Sequence, residues 1–137
     1  MAASRDQTIE IWLSIAAIVA ILFGLLTIWE GGSVVFPGDA ESDPEGNYVP
    51  FVVWFNFVAG FAYVTAGFGL WFRRAWAPRL ALIIFAATLL VFGAFGVHIA
   101  TGGAYEIRTV IAMTLRATVW GAIAILAFRA AARRSSA

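Results

Sequence analysis

The chain has 137 residues, 62% of them hydrophobic and only 12% charged. A soluble domain carries roughly 25% charged residues, and one water-facing core of this size cannot hide so much apolar surface, so a lipid bilayer must cover it. The net charge of +1, with arginines dispersed at segment ends, points away from nucleic acid, and the absence of cysteine excludes disulfides, thiol redox chemistry, cysteine-ligated iron–sulfur clusters and thiolate zinc.

Four apolar runs follow one another, at about 9–29, 51–72, 77–100 and 107–128. At about 1.5 Å per residue, each is long enough for the roughly 30 Å hydrocarbon core. The first, Ile9 to Trp29, competes with a secretory signal peptide. That reading needs an apolar region of about 7–15 residues with a small-residue cleavage site close behind, whereas here a longer run leads into Trp29-Glu30-Gly31-Gly32, so an uncleaved anchor is expected.

The loop 30–50 holds Pro37, Pro44 and Pro50 with Asp39, Glu41, Asp43 and Glu45, and reads as irregular and solvated rather than as a cation trap. Gly31 to Pro37 is too short to span, and a re-entrant or interfacial piece is one expectation for it. The second run, Phe51 to Phe72, and the third, Ala77 to Ala100, are joined by a few residues, as are the third and the fourth, Ile107 to Phe128. Short connections force antiparallel neighbours, and the expected fold is an all-α, up-down-up-down bundle of four transmembrane helices in one domain.

Orientation follows from the arginines. Arg73, Arg74 and Arg79 flank the middle loop, Arg129, Arg133 and Arg134 follow the last run, Arg5 precedes the first, and the long loop has none. The positive-inside rule then places both termini in the cytoplasm; for a bacterial source the expected membrane is the inner (plasma) membrane, with the long loop in the periplasm. Trp12, Trp71 and Trp76 would lie at the inner interface, Trp29 and Trp54 at the outer one.

Lipid tails are as apolar as leucine, so association has to come from close packing and polar contacts. Ala16, Ala20 and Gly24 recur every four residues on the first helix, Gly60 and Gly67 lie two turns apart on the second, and Gly93 and Gly96 would serve the third. Such seams close a monomer, or join a homo-oligomer or another membrane protein; the spacing does not choose.

Arg116, near the middle of the fourth span, is the most informative residue. Insertion charges about 2.5–3.5 kcal/mol for such an arginine, and the apolar residues around it return about 0.3–0.6 kcal/mol each. It should therefore point inward. Thr109, Met113, Arg116 and Trp120 share one helical face, and Asn56, Gly60, Tyr63 and Gly67 share a stripe on the second helix. Two readings follow: a structural hydrogen-bond network between these helices, or an anionic or carbonyl-bearing ligand held by Arg116, Asn56, Tyr63 and Trp120.

His98, the one histidine, lies near the outer end of the third span, at a depth close to Glu30, Glu106 and Arg108. A metal site of His98, Glu106 and Glu30 lacks a second nitrogen and any thiolate; a haem would find one axial ligand; an interfacial histidine bonded to a neighbour is the plainer reading. No phosphate-cradling glycine loop, nucleophile elbow or HExxH motif is present. No catalytic residue and no cofactor is therefore assigned.

Three stretches together carry a resemblance: Gly31 to Phe36, Asn47 to Phe57, and Gly102 to Glu106 continuing through Thr109, Ala112, Met113 and Arg116. They resemble a group of small bacterial integral membrane proteins with four predicted spans and no assigned activity. The resemblance implies the fold and the membrane, and no function. The acidic insert Asp39 to Glu45 departs from it. The first functional expectation is a non-enzymatic accessory or assembly subunit. The alternative is a small transporter or ligand-binding protein with its site around Arg116, and the third is an outer-face metal or redox enzyme.

Overall fold

Backbone N–H and C=O groups that meet no water must be satisfied within their own segment, so apolar runs of this length become helices. The computed structural model describes residues 2–35 and 50–135. Its helices are α1 over Ala2–Val35, α2 over Pro50–Trp71, α3 over Ala77–Ala100 and α4 over Ile107–Ser135. They form an antiparallel bundle in which α1 packs most closely on α2 and α3 on α4, with α2 against α3 and α4 against α1 closing the square. All four are long and apolar enough to cross a membrane. Large side chains such as Leu22, Trp29, Leu90 and Ile125 cover the outside, while alanine and glycine line much of the interior, an arrangement that suits hydrocarbon as solvent.

The bounds of α2 and α3 match the expected spans to within a residue, whereas α1 and α4 run further. Helix α1 continues through Gly31 and Gly32, because Gly31 lies on Phe57 of α2; a Cβ at Gly31 would stand 3.0 Å from the Phe57 Cβ. Packing thus overrides weak helix propensity. Residues 30–35 are helical, and the re-entrant expectation does not hold for them. Phe36 and Pro37, with the acidic run Asp39 to Glu45, lie outside the described residues.

The small residues of α1 and α2 do turn inward: Ala16, Ala17, Ala20 and Gly24 are buried, and Ala17 and Gly24 meet the glycines of α2. A Cβ on Gly24 would sit 2.8 Å from the Gly60 carbonyl oxygen, one on Gly60 3.0 Å from the Gly24 carbonyl, and one on Gly67 3.0 Å from that of Ala17. Backbone meets backbone here. Gly93 and Gly96 do not close the bundle: a Cβ on either would meet nothing within 4 Å, and both are exposed, so of the two expected uses of a seam the one inside the monomer does not hold for them. The inward stripe of α3 is instead Ala77, Ala81, Ile84, Thr88 and Phe95, at spacings of four, three, four and seven, and the two glycines fall off it.

Both tight turns end a helix in the left-handed conformation. After α3, Gly102 has φ +87°, Gly102 N donates to Ile99 O and Gly103 N to His98 O, a Schellman cap. After α2 the same pattern, Arg73 N to Leu70 O and Arg74 N to Gly69 O, places Arg73 at φ +58°. A guanidinium clamp accompanies this unusual choice. Arg73 Nε donates to Glu10 Oε2 at 2.5 Å, Nη1 to Leu70 O at 2.6 Å, and Nη2 to Ser14 Oγ at 2.9 Å. Arg134 Nη1 reaches the other Glu10 oxygen at 3.4 Å, so one carboxylate ties α1 both to the α2–α3 turn and to the end of α4.

Candidate functional site

The interior face of α4 is the one the spacing indicated. Met113, Arg116 and Trp120 are buried, with Arg116 only 6% exposed, and Thr109 is half-buried. From α2, Tyr63 is fully buried and its ring reaches across the bundle to Trp120, centroids 4.9 Å apart at 37°. The glycines of the same α2 stripe face α1, because the stripe is wide enough to divide between a seam and the interior.

Phe23 of α1 completes the cluster. Its ring stacks on Tyr63 with centroids 5.6 Å apart and 13° between planes, and the Arg116 guanidinium carbon lies 5.7 Å from its centroid. A phenylalanine in an apolar run gives no signal of this role in the sequence. From α3, the buried Thr88 donates its hydroxyl to Ile84 O at 2.7 Å, a bond within its own helix. Thr88 and Arg116 both stand close to the Tyr63 hydroxyl, short of hydrogen-bond geometry. All four helices therefore contribute a wall.

The polar atoms are the unusual part. Among the described residues, the buried side-chain nitrogen and oxygen atoms without a hydrogen-bond partner are Asn56 Oδ1, Tyr63 Oη, Arg116 Nε and Trp120 Nε1. Ring packing and a cation over a ring join α2, α1 and α4, and no hydrogen bond links Asn56 or Tyr63 to Arg116. Each such orphan costs about 1–3 kcal/mol. The cation over Phe23 returns about 0.5–2 kcal/mol, less than the roughly 2.5–3.5 kcal/mol of placing an arginine at mid-membrane. Asn56 Oδ1 only accepts, whereas Tyr63 Oη, Arg116 Nε and Trp120 Nε1 carry hydrogens to donate, within one ring-packed cluster that holds a full positive charge. Such a set is complementary to an anion or a carbonyl oxygen.

At the opposite end of the bundle from Glu10, His98 Nε2 donates to the Ala104 carbonyl at 3.0 Å, which pins the α3–α4 turn onto α3. Its ring lies parallel to Phe95 at 6.4 Å and edge-on to Phe51 at 6.2 Å. Glu106 is 3.5 Å from Arg108, and the Glu30 carbonyl accepts from Ser33 Oγ. Among the described residues no three His, Cys, Asp or Glu side chains gather into a cation-holding group. The structure thus brings Tyr63, Arg116 and Trp120 together and does not assemble His98, Glu106 and Glu30. Compared with protein families, curated proteins and solved structures, the chain matches none of them.

Proposed function

We propose that this four-span membrane protein binds an anionic or carbonyl-bearing small molecule between its helices, with Arg116 as the charge, Tyr63 and Trp120 as further donors and Asn56 as an acceptor. The observation that carries the reading is three partnerless buried donors, Tyr63 Oη, Trp120 Nε1 and Arg116 Nε, in one ring-packed cluster whose guanidinium has no carboxylate beside it among the described residues. A residue set kept only for stability would be cheaper as leucine and phenylalanine. The seat is the bacterial inner membrane with both termini in the cytoplasm, supported by the arginines clustered at one end.

The test is thermal unfolding of the detergent-solubilised chain with acetate, benzoate, inorganic phosphate and a para-quinone. At least one probe raises the melting temperature of the wild type and leaves Arg116→Leu unmoved; a ligand at 100 times its Kd stabilises by about 2.7 kcal/mol. No shift with any probe, together with a more stable leucine variant, sinks the proposal.

A second reading, an accessory subunit docked on another membrane helix, is favoured by Gly93 and Gly96, which face outward on α3 with open space before them. Small residues on a lipid-facing surface permit close helix approach. Gly96→Ile should then release a partner or a second copy, read as a fall in particle mass in mild detergent. An unchanged mass refutes this second reading.

A further inference from the structure

On the outer surface between α3 and α4 lies a groove of about 380 Å³, lined by Leu82 and Phe85 of α3 and by Gly121, Ile125, Phe128 and Arg129 of α4. Glycine at 121 lets the Phe85 ring lie close over the α4 backbone, since a Cβ there would be 3.0 Å from the ring. The groove is apolar except at the end where Arg129 stands. From Arg129 back to Gly121 is about 12 Å of helix toward the bilayer centre.

Charge at that end is unevenly neutralised. Glu10 pairs with Arg73 and Arg134. Arg129 and Arg79 are exposed and have no carboxylate partner among the described residues. Arg79 stands one turn before Leu82 on the same side of α3. An apolar trough that ends at the uncompensated guanidinium of Arg129, with Arg79 one turn before its lining residue Leu82, has the charge pattern of an amphiphile with a negative head.

We infer that this groove holds one anionic phospholipid of the leaflet at the basic end of the bundle, one acyl chain lying between Phe85 and Ile125 and its phosphate on Arg129 and Arg79. Arginine suits the role because its planar fork meets two phosphate oxygens at once. A free phosphate would leave the trough unfilled, and a zwitterionic lipid would bring its own cation against the arginines. The site is separate from the interior cluster, so either can fail without the other.

Native mass spectrometry of the full chain in detergent, with phosphatidylglycerol or phosphatidylcholine of identical chains, tests it. The wild type should retain one phosphatidylglycerol with about a fivefold preference. Arg129→Gln should bring the two lipids near parity. Ile125→Trp, which fills the trough from an exposed position, should lower retention of both; both sites face outward, so circular dichroism should show unchanged helix content. Equal retention of the two lipids by the wild type, or a preference that survives both substitutions, would mean an unselective lipid shell and overturn the inference.

Discussion

Arg73 shows how one residue can serve two purposes that conflict locally. Its backbone sits at φ +58°, a conformation that costs a residue with a Cβ about 1–2 kcal/mol and glycine almost nothing. The clamp on Glu10, Ser14 and the end of α2 offsets that strain, though the pair is part-exposed, at 25% and 41% of the two side chains, so its net value is about 1 kcal/mol or less. Arg73→Gly loses the clamp and the strain together and should stay within about 1 kcal/mol of the wild type. Arg73→Ala loses the clamp and keeps the strain, and should fall about 1 kcal/mol below the glycine variant. Chemical denaturation in micelles reads the order, and an alanine variant as stable as glycine would show that the turn carries no strain. The interior cluster obeys the opposite logic, because its orphans cost stability that a ligand would return. Tyr63→Phe should stabilise the ligand-free protein by about 1 kcal/mol, and Arg116→Leu by more, while both lose the probe-induced shift. A destabilised Tyr63→Phe would mean that its hydroxyl is already satisfied.

Between helices, the decisive quantity is how closely two backbones approach. At Gly60 a methyl group would meet the Gly24 carbonyl at 3.0 Å and Ile28 Cγ1 at 2.6 Å, so Gly60→Ala has to push α1 and α2 apart and should cost about 1–3 kcal/mol. Gly93→Ala meets nothing within 4 Å and should be neutral or stabilising by up to about 1 kcal/mol, through helix propensity. Equal effects of the two substitutions in the same denaturation assay would remove the distinction between seam and surface. The contrast also marks what could be read from the chain. Helix number, the two short connections and the inward face of α4 were legible because length and period are one-dimensional quantities. That α1 and α2 carry close-packing faces was legible because small residues recur there at helical spacing, whereas their pairing with each other was not. On α3 the same reasoning could not tell that Gly93 and Gly96 face away from the bundle, since spacing shows which residues share a face and not which face meets a neighbour. Phe23 and the Arg73 clamp were hidden for a related reason: one looks like any apolar residue, the other like any flanking charge, and only tertiary placement gives them partners.

For the molecule as a whole, the two ends differ in charge far more than the net +1 suggests. One end holds Arg5, Arg73, Arg74, Arg79, Arg129, Arg133 and Arg134 against Asp6 and Glu10; the other holds Arg108 against Glu30 and Glu106, and the sequence between α1 and α2 adds four acids and no arginine. Only the arginines act strongly during insertion, and carboxylates contribute little to orientation. Glu10 pairs with Arg73 and Arg134 in the folded bundle, but that pairing needs α1, the α2–α3 turn and α4 already side by side. A helix entering the membrane presents its flanking arginines unpaired, and seven positive charges oppose translocation of their end. The bundle should therefore sit with this end in the cytoplasm. Reporter fusions after Ala137 and at Ala75 should both report the cytoplasm, and an insertion within 39–45 the opposite side. Because the antiparallel fold already requires 75 and 137 to share a side, their agreement tests the span count, whereas the identity of that side tests the charge argument alone. A consistent but inverted pattern would keep the four-helix bundle and discard the orientation, and would move the proposed lipid site to the other leaflet.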